Sequence, residues 1–306
     1  MERMETMSSP VHTMAGHMDT PKLTVGYDGS DGAVAALRWA SSESLHRGGT
    51  LQVLTCRDES NHTTAIDRLL PDPRPVYEMA EWLLQSQSGH DPARQTEFTF
   101  SIVHGPAERR LAAESTSSDL LVIGTAGHLL LGAWRLGSIA HEILRHAVCP
   151  VVLVPVGYLP AEHHRIVVGV EDVTSRAALT WAAREATRRH SELVIVHAQH
   201  PDQDVTSQGQ NREAGHCPAS ILCEAVRFAA QHCDTQISTR LITGPAATSL
   251  LEQSFNADLL VVGARTTGHG DDKPGSIARA VGACATIPTV IVQNAPKQID
   301  HLWPQS

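Results

Sequence analysis

The chain has 306 residues, with 24 Lys and Arg against 33 Asp and Glu, a formal charge of −9 at pH 7 and a pI near 6.0. That balance gives no general attraction to nucleic acid or to an anionic membrane, and the chain shows no basic stripe. No run of about 18 apolar residues is present to span a bilayer. The six cysteines form no C-x2-C pair, so reduced thiols, partly in the core, are expected.

Taken in chain order, residues 1–20 have neither periodicity nor an apolar stretch and read as a disordered tail. They lack the basic start and apolar centre of a secretion signal, so a cytoplasmic protein is expected. Strand-like segments follow at Leu23–Tyr27, Leu51–Cys56, Thr96–His104, Leu120–Gly124 and Val151–Pro155. Between them, Ala33–Leu45, Pro75–Gln85, Pro106–Ser115 and Gly137–Ala147 carry apolar residues at helical spacing. Strands alternating with helices predict parallel βαβ units and an α/β sheet covered on both faces.

The pattern then repeats, with strands expected near Ile166–Val170, Leu193–Ala198, Thr235–Ile242, Leu259–Gly263 and Thr289–Gln293. Local matches accompany it: Asp119-Leu-Leu-Val-Ile-Gly124 recurs as Asp258-Leu-Leu-Val-Val-Gly263, and Gly137-Ser-Ile-Ala140 as Gly275-Ser-Ile-Ala278. Gly105-Pro106-Ala107 likewise recurs as Gly244-Pro245-Ala246. An ordered set of matches at nearly one offset predicts two copies of one domain of about 140 residues. The expected bounds are 21–157 and 165–294, joined by a linker at 158–164 and followed by a tail at 295–306. Pro106 and Pro245 stand where a first-turn proline would start a helix. Arg57–Pro73 and His200–Pro218 are polar and look like flaps after the second strand of each copy.

The richest stretch for chemistry is Asp119–Pro155. Gly124, Gly127, Gly137 and Ser138 are spaced G-x2-G-x9-G-S between an apolar strand and a helix. Glycines there let a ligand approach the main chain, and the helix N-terminus directs N–H groups and a favourable dipole at an anion. The long G-x9-G interval differs from the dinucleotide G-x-G-x2-G turn, and no G-x4-G-K-[ST] is present. Separately, His216, Cys217, Cys223, His232 and Cys233 crowd 18 residues, in spacings that match no zinc pattern. No metal site is expected.

With Val25-Gly-Tyr-Asp-Gly-Ser30 at the first strand end and the Gly105-Pro106 turn, the glycine spacing resembles the universal stress protein family in its tandem, two-domain form. The resemblance implies two tandem Rossmann-like domains of the adenine nucleotide alpha hydrolase-like kind, each a five-stranded parallel sheet flanked by helices. It implies that Asp28 meets the ribose or adenine and that Cys56 meets adenine through its main chain. Gly124, Gly127, Gly137, Ser138 and Ile139 would wrap the phosphates. His128 stands where the family often carries arginine. On the residues alone, Asp28 could instead be a turn or cap residue, and Ser138 could simply cap its helix.

The implied ligand is ATP, with or without Mg2+, and the implied assembly is a homodimer of tandem chains, with antiparallel contact between the last strands of the two copies. Neither nucleic acid nor membrane is an expected partner. In the second copy Thr266 replaces the second glycine, the glycine interval is one residue shorter, and Asp271, Asp272 and Pro274 occupy the loop beside Lys273. Glu171-Asp172 replaces Asp28-Gly29, and this second site is expected to be degenerate. Three functions stay open: a regulatory nucleotide binder with no catalytic residue, a nucleotide-free scaffold, and a slow ATPase.

Overall fold

The computed structural model describes residues 6–7, 20–58, 78, 81–82, 97–125, 136–172, 175–199, 217–264 and 275–293. The chain divides into two compact units, with the main boundary between Gly157 and Tyr158.

In the first unit the elements run β1 (Thr6–Met7), β2 (Lys22–Gly26), α1 (Asp31–Arg47), β3 (Thr50–Arg57) and β4 (Phe98–His104). They continue with α2 (Ala107–Glu114), β5 (Leu120–Thr125), α3 (Ser138–His146) and β6 (Val151–Pro155). The strand order is β1-β4-β3-β2-β5-β6, and β4 to β6 form five parallel strands. The second unit comprises β7 (Arg165–Gly169), α4 (Arg176–Arg189), β8 (Glu192–Gln199), α5 (Pro218–Ala229) and β9 (Ile237–Thr243). It ends with α6 (Ala246–Ser254), β10 (Leu259–Gly263), α7 (Ser276–Cys284) and β11 (Thr289–Val292), ordered β11-β10-β7-β8-β9 and all parallel.

The strands are continuous apolar runs because helices cover both faces. Leu23, Val25, Leu51, Val53 and Val122 are fully buried in the first unit, as are Ile166, Val168, Leu193, Ile195 and Val261 in the second. Helix α1 starts where the Ser30 hydroxyl accepts the Ala33 N–H at 3.2 Å, and it stops at Gly48, which takes the left-handed conformation at φ 59°. The corresponding cap of α4 is His190 at φ 51°, a strained conformation for a residue with a β-carbon.

A buried ion pair recurs at the ends of these two helices. Glu43, 3% exposed, pairs with Arg47, and Glu185, 2% exposed, pairs with Arg188 and Arg189, both at 2.6 Å. A second shared device explains the repeated aspartate of the D-L-L-V motif. The Lys22 N–H donates to Asp119 Oδ2 at 2.7 Å, and the His163 and Arg165 N–H groups donate to the Asp258 carboxylate at 2.7 and 2.8 Å. Asp119 fastens the start of β2 to the start of β5, and Asp258 fastens the start of β7 to the start of β10.

Several sequence expectations shift. Thr6–Met7 pairs antiparallel with β4, opposite Ser101 and Phe100, where a disordered tail was expected. The outer edge of β4 offers unpaired backbone groups that an extended segment can take. Pro106 and Pro245 are N-caps rather than first-turn residues: their carbonyls accept the Arg110 and Ser249 N–H groups at 3.1 and 3.0 Å. Pro218, placed in a flap by the sequence, is instead the first residue of α5. Arg57 completes β3, while most of the two expected flaps and the tail at 295–306 lie outside the described residues.

Candidate functional site

The strand order reverses between β2 and β5 in the first unit and between β7 and β10 in the second. Open α/β sheets form a crevice at such a point, outside the carboxyl ends of the strands. In the first unit Tyr27–Ser30 and Gly124–Thr125 border this crevice, and the Tyr27 N–H donates to the Leu54 carbonyl at 2.9 Å. The second unit repeats that bond from Val170 to Val196 at 2.9 Å, which fixes the equivalence of the two strand ends.

Asp28 is exposed, and its Oδ1 accepts both the Ser30 N–H at 3.0 Å and the Ser30 hydroxyl at 2.6 Å. It holds the helix cap in place without being the cap itself, a role that falls to Ser30. The adjacent negative charge and burial together raise the Tyr27 phenol, with burial the larger cause. Cys56, one residue before the end of β3, is half-buried, and burial pushes its thiol up to about 12; nearby Arg110 pulls the other way and Glu108 adds to the rise. A thiol held neutral in this way is a poor nucleophile, so what Cys56 can offer a ligand is its main chain.

Gly124 and Gly137 prove to be different kinds of glycine. A β-carbon on Gly124 would lie 2.1 Å from the Gly32 carbonyl carbon and 2.7 Å from the Ala33 nitrogen, so the close approach of β5 to α1 requires glycine. Gly137 sits at φ −56° and ψ 151°, ordinary for any residue, and among the described residues nothing lies within 4 Å of an added β-carbon. It is the N-cap of α3 and has no side-chain cap; Ser138 is the exposed first helical residue and not the cap. Ile139 beside it is 45% exposed. Gly127 and His128, and Thr266 with its flanking loop, lie outside the described residues.

In the second unit the crevice is a cavity of about 130 Å³. Its lining includes Glu171, Ala198, Gly263 and Ile277, the counterparts of Asp28, Cys56, Gly124 and Ile139. The counterparts of four sequence-predicted positions therefore line one crevice in the second unit. Two residues escaped the sequence reading. Gly32 is the partner that makes Gly124 necessary, and Arg110 folds over the Gly105 turn and donates from Nε to the His104 carbonyl at 2.5 Å. Only the spacing of Arg110 from the Gly105-Pro106 turn hinted at the latter.

The histidine and cysteine cluster disperses. Cys217 and Cys223 are exposed, the His232 ring meets the Phe228 carbonyl at 3.1 Å, and buried Cys233 lies 3.0 Å from the Thr235 hydroxyl. Among the described residues no group of three or more potential ligands could hold a metal, and no helix is long and apolar enough to cross a membrane.

The model of the universal stress protein family matches residues 20–155 and again 162–293. A universal stress protein of Mycolicibacterium smegmatis is 28% identical over 287 residues, spanning 89% of this chain and 96% of that protein. One from Mycobacterium tuberculosis is 26% identical over 291 residues, spanning 89% of this chain and 97% of that protein. The crystal structure of a universal stress protein from Archaeoglobus fulgidus superposes with a TM-score of 0.68 at 14% identity, over 91% of this chain and all of that one, a likeness of fold. With the family pattern present twice over a matching tandem α/β architecture, the chain belongs to the universal stress protein family.

Proposed function

We propose that the first unit binds ATP, with or without Mg2+, in the crevice at the carboxyl ends of β2 and β5, and that the protein acts as a nucleotide-dependent regulator in the stress response. Gly137 carries this reading. The fold makes no steric or conformational demand for glycine there, and the open space lies at the N-terminus of a nine-residue helix whose first residue offers a hydroxyl. That combination suits a phosphate group. Asp28 then faces the ribose, and the main chain of Cys56 faces adenine. Gly127 and His128 complete the phosphate loop.

Main-chain N–H groups and the Ser138 hydroxyl are neutral donors that hold a triphosphate in its ground state. Binding ground and transition states equally does not accelerate chemistry, and phosphoryl transfer also needs a cation clamp and an oriented water. Bound ATP is therefore expected to stay largely intact over minutes, with His128→Ala changing affinity more than hydrolysis. Calorimetric titration with ATP should give a stoichiometry near one per chain, abolished by Gly127→Val. A stoichiometry near two would overturn the assignment to the first unit alone, and single-turnover phosphate release near about 1 per second would overturn the regulator in favour of an enzyme.

A further inference from the structure

The two units leave their outer sheet edges in different states. Strands β4 and β9 are counterparts: the Gly105 N–H that follows β4 donates to the Arg57 carbonyl at 2.7 Å, and the Gly244 N–H that follows β9 donates to the Gln199 carbonyl at 2.9 Å. On β4, Thr6–Met7 pairs antiparallel opposite Ser101 and Phe100, and both of those residues are buried. Strand β9 stands at the end of the strand order and, among the described residues, pairs with β8 alone. The counterparts of Phe100 and Ser101 there are Thr239, half-buried, and Arg240, exposed; Leu241 beside them is 49% exposed. The Leu193 N–H donates to the Gln236 carbonyl at 2.9 Å, so in this parallel ladder the even-numbered residues of β9 bond to β8. Ile237, Thr239 and Leu241 therefore turn their N–H and C=O groups outward. Arg240 gives partial cover, donating from Nη1 to the outward Thr239 carbonyl at 3.0 Å. An edge with free amides and a lone charge is one that another strand can take.

We propose that β9 pairs antiparallel with β9 of a second chain, about a twofold axis centred on Thr239, to give a weak dimer through this sheet edge. Antiparallel pairing is what β1 displays on the counterpart edge, and it is what twofold symmetry imposes on identical strands. Among the described residues the chain supplies one covering segment, Thr6–Met7, and spends it on β4. A second chain brings a bare edge of its own. Centred on Thr239, the pairing sets Leu241 against the partner's Ile237 and Arg240 against the partner's Ser238. The Ser238 hydroxyl donates to Glu192 at 2.5 Å within its own chain, so a carboxylate lies beside that position. Arg240, displaced from the Thr239 carbonyl when the partner's Thr239 N–H takes it, gains that carboxylate in exchange. A pairing centred on Arg240 would instead set like charges directly opposite each other. A seven-residue strand pair buries little area, which is why the dimer is weak and depends on concentration.

Amide hydrogen exchange of the full chain, read by NMR at about 5 and about 500 µM alongside sedimentation, tests it. As the dimer grows in, the Thr239 and Leu241 amides should slow at least about tenfold, while the Ser238 and Arg240 amides, held by β8, stay slow throughout. The Phe100 amide, on the edge that β1 covers, should not change. Leu241→Pro deletes an outward N–H and leaves the β8 ladder intact, and Arg240→Glu turns the attraction to Glu192 into repulsion. Either variant should return the Thr239 amide at high concentration to its dilute rate, and the second serves if the first fails to fold. The proposal is overturned if Thr239 exchanges at the same rate at both concentrations, or if a folded variant responds like the parent protein. It is also overturned if the Phe100 amide loses protection as Thr239 gains it, which would make the N-terminal strand of another chain the occupant.

Discussion

The two units share a frame and differ in what that frame presents at its crevice. Both fasten a strand start with an aspartate, β2 with Asp119 and β7 with Asp258. Each bonds the first strand end to its neighbour through the same N–H, and each buries a glutamate against arginine at the same helix end. Yet the N–H of Gly275 is spent on Ala264, Cys56 is answered by Ala198, and the Gly48 cap is answered by His190. Differences therefore fall on the frame as well as at the crevice, while Gly137-Ser-Ile-Ala140 recurs unchanged as Gly275-Ser-Ile-Ala278, so faithful repetition does not by itself separate positions that fold from positions that bind.

This comparison can be broken by mutation, starting with the largest effect. Gly124→Val drives a side chain into the backbone of Gly32 and Ala33 and should destabilise the first unit by about 4 kcal/mol. Urea denaturation followed by fluorescence reads this directly, and a loss below about 1 kcal/mol would mean that the helix gives way easily. Arg47→Ala removes the charge facing buried Glu43 and should cost about 3 kcal/mol. Arg189→Ala should cost less, because Arg188 remains 2.6 Å from Glu185. Equal losses in the same denaturation assay would show that Arg188 does not compensate and that the two ion pairs behave alike.

His190→Gly relieves a left-handed residue and should stabilise the second unit by about 1 kcal/mol, raising its urea midpoint. The smallest stability effect belongs to Gly137→Ala, expected within about 0.5 kcal/mol of the parent because no described residue lies within 4 Å of the added β-carbon. The same variant should weaken ATP measurably in calorimetry. If it lost stability like Gly124→Val, or bound ATP unchanged, the distinction between a packing glycine and a ligand glycine would collapse.

The chain by itself determined the alternation of strands and helices, the twofold repeat and the family, because these are written in local periodicity and in matches along one dimension. Most of the core strands were legible within a residue or two, since a parallel strand covered on both faces must be a continuous apolar run. Tertiary structure alone decided why Gly124 is glycine, what Asp119 and Asp258 hold, and that Cys56 keeps its proton up to about 12. It also decided that the second unit keeps a cavity although its loop has lost the glycine pattern. The reason is distance along the chain. Gly124 meets Gly32, and Asp119 meets Lys22, only after some ninety residues of fold have brought them together, and burial of a thiol is a property of everything packed around it.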